Sequence, residues 1–364
     1  MTVIAIPAAA ADLVIGQVAP FSGPLAPTGI HMRAGAQLYF DRINAEGGVH
    51  GAKLRLVTRD DAYKVTETVR LTRQLIDEEK PIALFGLVGT GNVSALVKDK
   101  ILDTAGIPAV GIRTGATSLI TPAHPYLFIG RASYATEVEA MVRHLGSIGS
   151  RRIAVFYQDD AFGADGLAAA ERAIAKDGLE LVVKAGYKKN TTEVEPAVAA
   201  ILAAKPQSVV MIANTAAGAA FVQQFRAGGG DAILMALSTT DGPQVAKRIG
   251  KDVAHGLGIA QVVPDPNNRA MAIVREIQKI YREAAPAGIE LNHTLIQGYL
   301  GARLLVEGLQ RAGPNPTRQS LREALDSIRN YDMGGIVADF SPTRHAGIDY
   351  VDITILNRSG RILR

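Results

Sequence analysis

Between residues 12 and 261 the chain alternates short β-branched runs with longer amphipathic stretches, and this succession restricts the possible folds most. Strands are predicted over 12–19, 53–58, 82–85, from 108, and over 153–157, 179–185, 208–213, 233–237 and 258–263. Helices are predicted over 25–45, 65–79, 93–105, 164–177, 194–204, 216–227 and 243–249. In 65–79, for example, Val65, Val69, Leu71, Leu75 and Ile76 fall near one helical face. A βαβα succession brings each strand back parallel to the last and covers both faces of the sheet with helices. Two such modules of about 120 residues follow one another. A tail then adds helices at 269–285, 295–312 and 321–328 and strands at 336–340 and 351–356. The prediction is α/β, with two doubly wound, Rossmann-like domains.

The 364 residues suffice for two cores, and a chain that is 48% hydrophobic is not a disordered one. With no Cys there is no disulfide scaffold, thiolate metal site or cysteine nucleophile. The net charge of +4 comes from 39 basic and 35 acidic residues spread along the chain, without the basic stripe of a nucleic-acid binder. No apolar run approaches the roughly 18 residues of a membrane span. Residues 1–11 end in Pro7-Ala8-Ala9-Ala10-Ala11, which fits either the remnant of a signal peptide or a frayed N-terminus.

Catalytic patterns are missing. The seven His have no metal-ligand spacing, and HExxH and GxSxG do not occur. Asp60-Asp61 and Asp159-Asp160 follow predicted strands, where turn or cap roles are expected. The turn Gly86-Leu87-Val88-Gly89-Thr90-Gly91-Asn92 lies between a strand and a helix, a place where backbone amides bind anions. Gly86 and Gly91 have P-loop spacing, but Asn92-Val93 replaces the Lys and Ser/Thr that meet phosphate and magnesium. Gly89 and Gly91 open a dinucleotide fingerprint, but Ser94 takes the third glycine position. What remains is Thr90 at a helix start, either a carboxylate site or a simple cap.

A second hydroxyl-bearing turn, Thr114-Gly115-Ala116-Thr117-Ser118, follows the next strand. Turns after adjacent parallel strands face one crevice, and their convergence favours the carboxylate. In the second module Asp159–Asp160–Ala161–Phe162–Gly163, Asn214–Thr215–Ala216 and Ser238–Thr239–Thr240–Asp241 also leave strand ends. Across a cleft they would supply an aromatic wall, polar contacts and one negative charge.

Pro20-Phe21-Ser22-Gly23-Pro24, Ile43-Asn44-Ala45-Glu46-Gly47-Gly48-Val49-His50-Gly51, Asp60-Asp61-Ala62, Gly115-Ala116-Thr117, Asp160-Ala161-Phe162-Gly163, Gln261-Val262-Val263-Pro264 and Gln297-Gly298-Tyr299 carry a resemblance. Together, over 12–364, they are similar to the type I periplasmic binding proteins, in the subgroup of the leucine/isoleucine/valine-binding protein. The resemblance implies two lobes joined by three crossovers, closing over a ligand in the cleft. It implies lobe 1 over 12–131 plus 262–340, and lobe 2 over 132–261 plus 341–364.

By the same resemblance, Thr90 and Thr117 hold the ligand carboxylate, and the Gly115 carbonyl lies beside the ammonium. Gly89 and Ala116 flank these positions, and Val88 and Phe162 pack the ligand side chain. Thr28, Asn214 and Thr215 fall where the family carries larger aromatics or the loop bearing one, and His293 or Thr294 lies near a further aromatic. The family's acidic partner of the ammonium falls near Ser238, with Asp241 the nearest carboxylate. Two family Cys that form a disulfide match Tyr63 and Gly89.

The expectation is a periplasmic solute receptor of an ABC importer, a monomer partnered by a membrane permease. It would bind a small apolar amino acid such as leucine, without catalysis, cofactor, metal or nucleic acid. The alternatives are a binder of aromatic or aliphatic acids lacking an ammonium, and a cytoplasmic ligand sensor of the same fold.

Overall fold

In the computed structural model, which describes residues 11–284 and 286–363, β1 (Leu13–Ala19) is an inner strand of the first sheet, next to its edge strand. The leader remnant or frayed terminus expected at 1–11 falls outside the described residues except for Ala11, and so does Ala285. Strand β1 is apolar apart from Gln17, and its last five positions are buried. Helix α1 (Ala26–Ala45) returns the chain to β2 (Leu54–Asp60), and α2 (Val65–Glu79) to β3 (Ala83–Phe85). Helices α3 (Thr90–Lys98) and α4 (Ile101–Ala105) lead to β4 (Ala109–Val110), then α5 (Thr117–Ile120) to β5 (Leu127–Phe128). The five strands form a parallel sheet of order β2-β1-β3-β4-β5.

Where one helix is predicted over 93–105 there are two, and the first starts three residues earlier. Gly89, at φ 98°, turns the chain into α3, and Lys100, at φ 53°, interrupts the helix before α4.

Helix α6 (Tyr134–Ser147), which was not predicted, carries the chain across to the second lobe. There β6 (Arg152–Asp159), α7 (Ala161–Lys176), β7 (Glu180–Lys188), α8 (Glu195–Ala204) and β8 (Ser208–Ile212) follow in turn. Next come α9 (Thr215–Ala227), β9 (Ile233–Ala236), α10 (Gly242–Ile249), α11 (Lys251–Ala254) and β10 (Gly258–Gln261). The chain then returns to the first lobe through α12 (Ala272–Ala284), α13 (His293–Arg311), α14 (Arg318–Asp326) and the pair β11 (Tyr331–Asp332) and β12 (Val337–Ala338).

Helix α13 lies against α1, and two glycines let the backbones meet. A Cβ at Gly35 would stand 2.0 Å from the Leu295 carbonyl oxygen, and one at Gly298 2.2 Å from that of Met32. Beyond β12, Ile129 at the edge of the first lobe exchanges backbone hydrogen bonds with His345 and Gly347.

A third passage leads to β13 (Asp352–Leu356) and β14 (Ile362–Leu363). The second sheet has the order β14-β13-β10-β9-β8-β6-β7. It is parallel from β7 to β10 but antiparallel at the tail, where a short turn rather than a crossover helix joins β13 to β14. The result is two doubly wound α/β lobes joined by three crossovers. Each sheet is packed on both faces, with the stacked rings of Tyr187, Phe156, Phe221 and Phe225 filling one side of the second.

Candidate ligand cleft

The carboxyl ends of both sheets meet across a cleft, and hydrogen bonds already span it. The Arg113 guanidinium donates to the Ser238 carbonyl at 3.2 Å, and the Thr117 amide to Asp165 Oδ1 at 2.9 Å. Asn292 Nδ2 donates to Asp241 Oδ2 at 2.8 Å, and Lys189 Nζ to Asn92 Oδ1 at 3.1 Å. The Lys189 ammonium also stands 3.9 Å from the centroid of the Tyr63 ring. The lobes are therefore held together by polar groups in the loops and first helical turns beyond the strand ends, the region where open α/β sheets take ligands.

On the first lobe, Thr90 opens α3 and is buried, with its hydroxyl 2.8 Å from that of Thr114. Val88 packs with Ala19, Leu25 and Tyr63. Gly89 is in contact with Tyr63, since a Cβ there would lie 2.4 Å from its ring. The two positions matched to the family's Cys are thus side by side, and the tyrosine ring fills the space between them.

The Gly115 carbonyl accepts from the Tyr134 amide at 2.7 Å, and the Ala116 amide donates to the Thr114 hydroxyl at 3.3 Å. Thr117 opens α5, with its amide taken by Asp165 and its buried hydroxyl without a hydrogen-bond partner. Thr28 is half-buried near the start of α1.

On the second lobe, Asp160 caps α7 by accepting from the Phe162 and Gly163 amides, the cap role expected of it. Phe162 is buried edge-on against Tyr134 at 5.1 Å. Asn214 donates through Nδ2 to Gln158 Oε1 at 2.8 Å, and the Tyr187 hydroxyl donates to the same oxygen at 3.0 Å. The Asp241 amide donates to the Thr215 hydroxyl at 2.9 Å, while the Asp241 carboxylate caps α10 by accepting from the Gln244 amide at 3.0 Å.

Ser238 is the meeting point of two guanidiniums. Its carbonyl takes Arg113, its hydroxyl takes Arg131 at 3.1 Å, and its amide donates to Glu137 Oε2 at 2.8 Å. Thr28, Thr215 and Asp241 come together with Arg113, Thr239, Gln244 and Thr294 around a cavity of about 10 Å³. Thr90 and Thr117 are not among its lining residues.

Burial dominates the electrostatics. It lowers the Arg113 guanidinium to about 10, with repulsion from Arg131 adding to the effect. Burial pushes the Glu137 carboxyl up against the pull of Arg131, its partner in a fully buried ion pair. Burial also raises the Asp241 carboxyl, opposed by the Gln244 amide and by the charges of His31 and Arg113. His293, the first residue of α13, is pushed down to about 3 by burial and by Arg113, so its ring is neutral at neutral pH. Among the described residues, no group of three or more His, Asp or Glu is placed to hold a metal ion, and no helix is long and apolar enough to cross a membrane.

A family model described as periplasmic binding protein matches residues 12–361. The chain belongs to the periplasmic binding protein family. Among its relatives, the "Leu/Ile/Val-binding protein homolog 7" of Brucella abortus (strain 2308) is 26% identical over 322 residues, covering 83% of this chain and 78% of that one. Two solved structures superpose with TM-scores of 0.92. One is a substrate-binding periplasmic protein from Ralstonia solanacearum, 37% identical and covering 97% of this chain and 99% of that one. The other is described as a possible leucine/isoleucine/valine-binding protein from Rhodopirellula baltica SH 1, 28% identical and covering 99% and 98%.

Within this periplasmic binding protein, several cleft residues carry no local sequence signal. Arg113 stands between a predicted strand and the Thr114 turn, a place where an arginine can equally face water. Arg131 and Glu137 flank the start of the unpredicted α6, and Gln297, though part of a segment that carries the resemblance, lies inside a predicted helix with no role assigned to it. Asp165, one turn into α7, is identified only by its partner on the other lobe.

Proposed function

We propose that the protein is the extracytoplasmic solute-binding receptor of an ABC importer, holding a small apolar amino acid in the cleft and presenting it to a membrane permease. One observation carries this reading. Arg113 of the first lobe and Asp241 of the second line the same small cavity, a cation and an anion on opposite sides of the closing surface. A zwitterionic head group complements that pair, and closure brings both charges to it. The names of the Brucella and Rhodopirellula relatives, which refer to leucine, isoleucine and valine, agree with an apolar side chain.

A second reading, a carboxylic acid without an ammonium, is favoured by one feature. Ser238 stands near the position of the family's acidic residue and brings no carboxylate of its own, while Glu137, the carboxylate that touches it, is already paired with Arg131.

A thermal-shift screen separates the two. A ligand that binds only the native state raises the midpoint, by about 2.7 kcal/mol of added stability at a hundredfold excess over Kd. The expected hits are apolar L-amino acids, with their deaminated counterparts clearly weaker. Equal shifts from the deaminated acids would transfer the assignment to the second reading. No shift from either class would reject both.

A further inference from the structure

The inference drawn here rests on the receptor reading and concerns how the ligand's negative end is held. We propose that Arg113 is the anion anchor of the cleft, with the ligand carboxylate forming an ion pair with its guanidinium while Asp241 faces the other end of the head group.

Arg113 follows β4, and its backbone amide donates to the Leu87 carbonyl at 2.8 Å, which fixes the base of the side chain beside the Thr90 turn. The side chain is only 6% exposed. Its two hydrogen bonds run to neutral oxygens, the Gln297 side-chain carbonyl and the Ser238 backbone carbonyl. No carboxylate forms an ion pair with it among the described residues. The neighbouring guanidinium is handled differently, because Arg131 has Glu137 as a fully buried partner.

Asp241 and Glu137 pull on this guanidinium only from beyond ion-pair distance. A buried cation without a carboxylate in contact is unfavourable, and a well-packed apolar residue would serve stability better there. The arrangement makes sense when an anion arrives from outside. A guanidinium presents five N–H donors in a fork that matches a carboxylate, and only two bonds are committed here.

Asp241 completes the case from the opposite lobe. Its carboxylate is also bonded to neutral donors, Asn292 Nδ2 and the Gln244 amide, and it forms no ion pair with a described residue. The cavity between the two charges, about 10 Å³, has room for about one water. A head group is therefore held only with the lobes further apart than they are here, with Arg113 and Asp241 on either side of it. His293, neutral at neutral pH, adds no competing charge. The Thr90–Thr114 hydroxyl pair and the Thr117 turn supply neutral hydrogen bonds nearby, and Arg113 supplies the charge.

The experiment compares each of the twenty L-amino acids with its carboxamide by calorimetry and thermal shift on the full chain stripped of ligand. An amino acid is expected to bind while its carboxamide does not. Arg113→Gln should weaken the amino acid at least ~30-fold, with Arg113→Lys recovering part of the loss. Should Arg113→Gln fail to fold, Gln297→Glu gives the guanidinium an internal carboxylate and should abolish binding without removing Arg113. Equal affinity for acid and carboxamide, or unchanged affinity in Arg113→Gln or Gln297→Glu, overturns the anchor and leaves the receptor reading standing. A wild-type protein that no amino acid stabilises overturns both together.

Discussion

At the scale of single residues, the cleft is built from side chains whose partners lie far away in the sequence. Arg113 and Ser238 are 125 positions apart, and Thr117 and Asp165 are 48 apart. No local pattern encodes such pairs. Thr90 and Thr117 were legible as hydroxyls at helix starts beyond strand ends, because a hydroxyl after a strand and a glycine-bearing turn is a local arrangement. Arg113 was not, because an arginine beside such a turn looks the same in sequence whether it faces water or a closing lobe. Thr90 gives the first test. Its hydroxyl sits at the first residue of α3, paired with Thr114, where it can turn to a ligand oxygen. Losing a hydrogen bond to a charged group costs roughly 1.5–3 kcal/mol, so Thr90→Ala should weaken ligand binding at least ~10-fold by calorimetry. An unchanged affinity would place the carboxylate elsewhere in the cleft.

At the scale of elements, hydrophobic period and glycine position located most strands and helices, and the departures have local causes. The helix predicted over 93–105 divides because Lys100 takes a left-handed conformation. It begins early because Gly89, at φ 98°, turns the chain so that Thr90 can open it. Helix α6 lies outside the predicted elements although Ser133 caps it by accepting from the Thr136 amide, a signal present in the sequence. The Gly89 turn is itself testable. An alanine there must adopt positive φ and place its Cβ 2.4 Å from the Tyr63 ring. Such strain costs on the order of 1–3 kcal/mol. Gly89→Ala should therefore lower the thermal midpoint, and by less in a Tyr63→Ala background than in the wild type. If the two drops are equal, the strain lies in the backbone alone.

At the scale of the whole molecule, the βαβ succession accounts for the parallel, doubly wound part of both sheets. The long-range course of the tail had no such local code. The chain passes between lobes after β5, after β10 and after the β11–β12 pair, so each lobe is discontinuous in sequence. Three strands of connection permit hinge motion while keeping the lobes in register, and a ligand that contacts both lobes shifts the population towards the closed form. The chain has no Cys, so one engineered on each lobe can be labelled cleanly. Gln74 on α2 and Lys176 on α7 are exposed positions on opposite lobes. Fluorescence energy transfer between labels at Gln74→Cys and Lys176→Cys follows closure directly. Titrating the stripped protein with its tightest amino acid should shorten the distance and saturate at one ligand per chain. A distance that does not change while calorimetry shows the site filled would contradict capture by lobe closure.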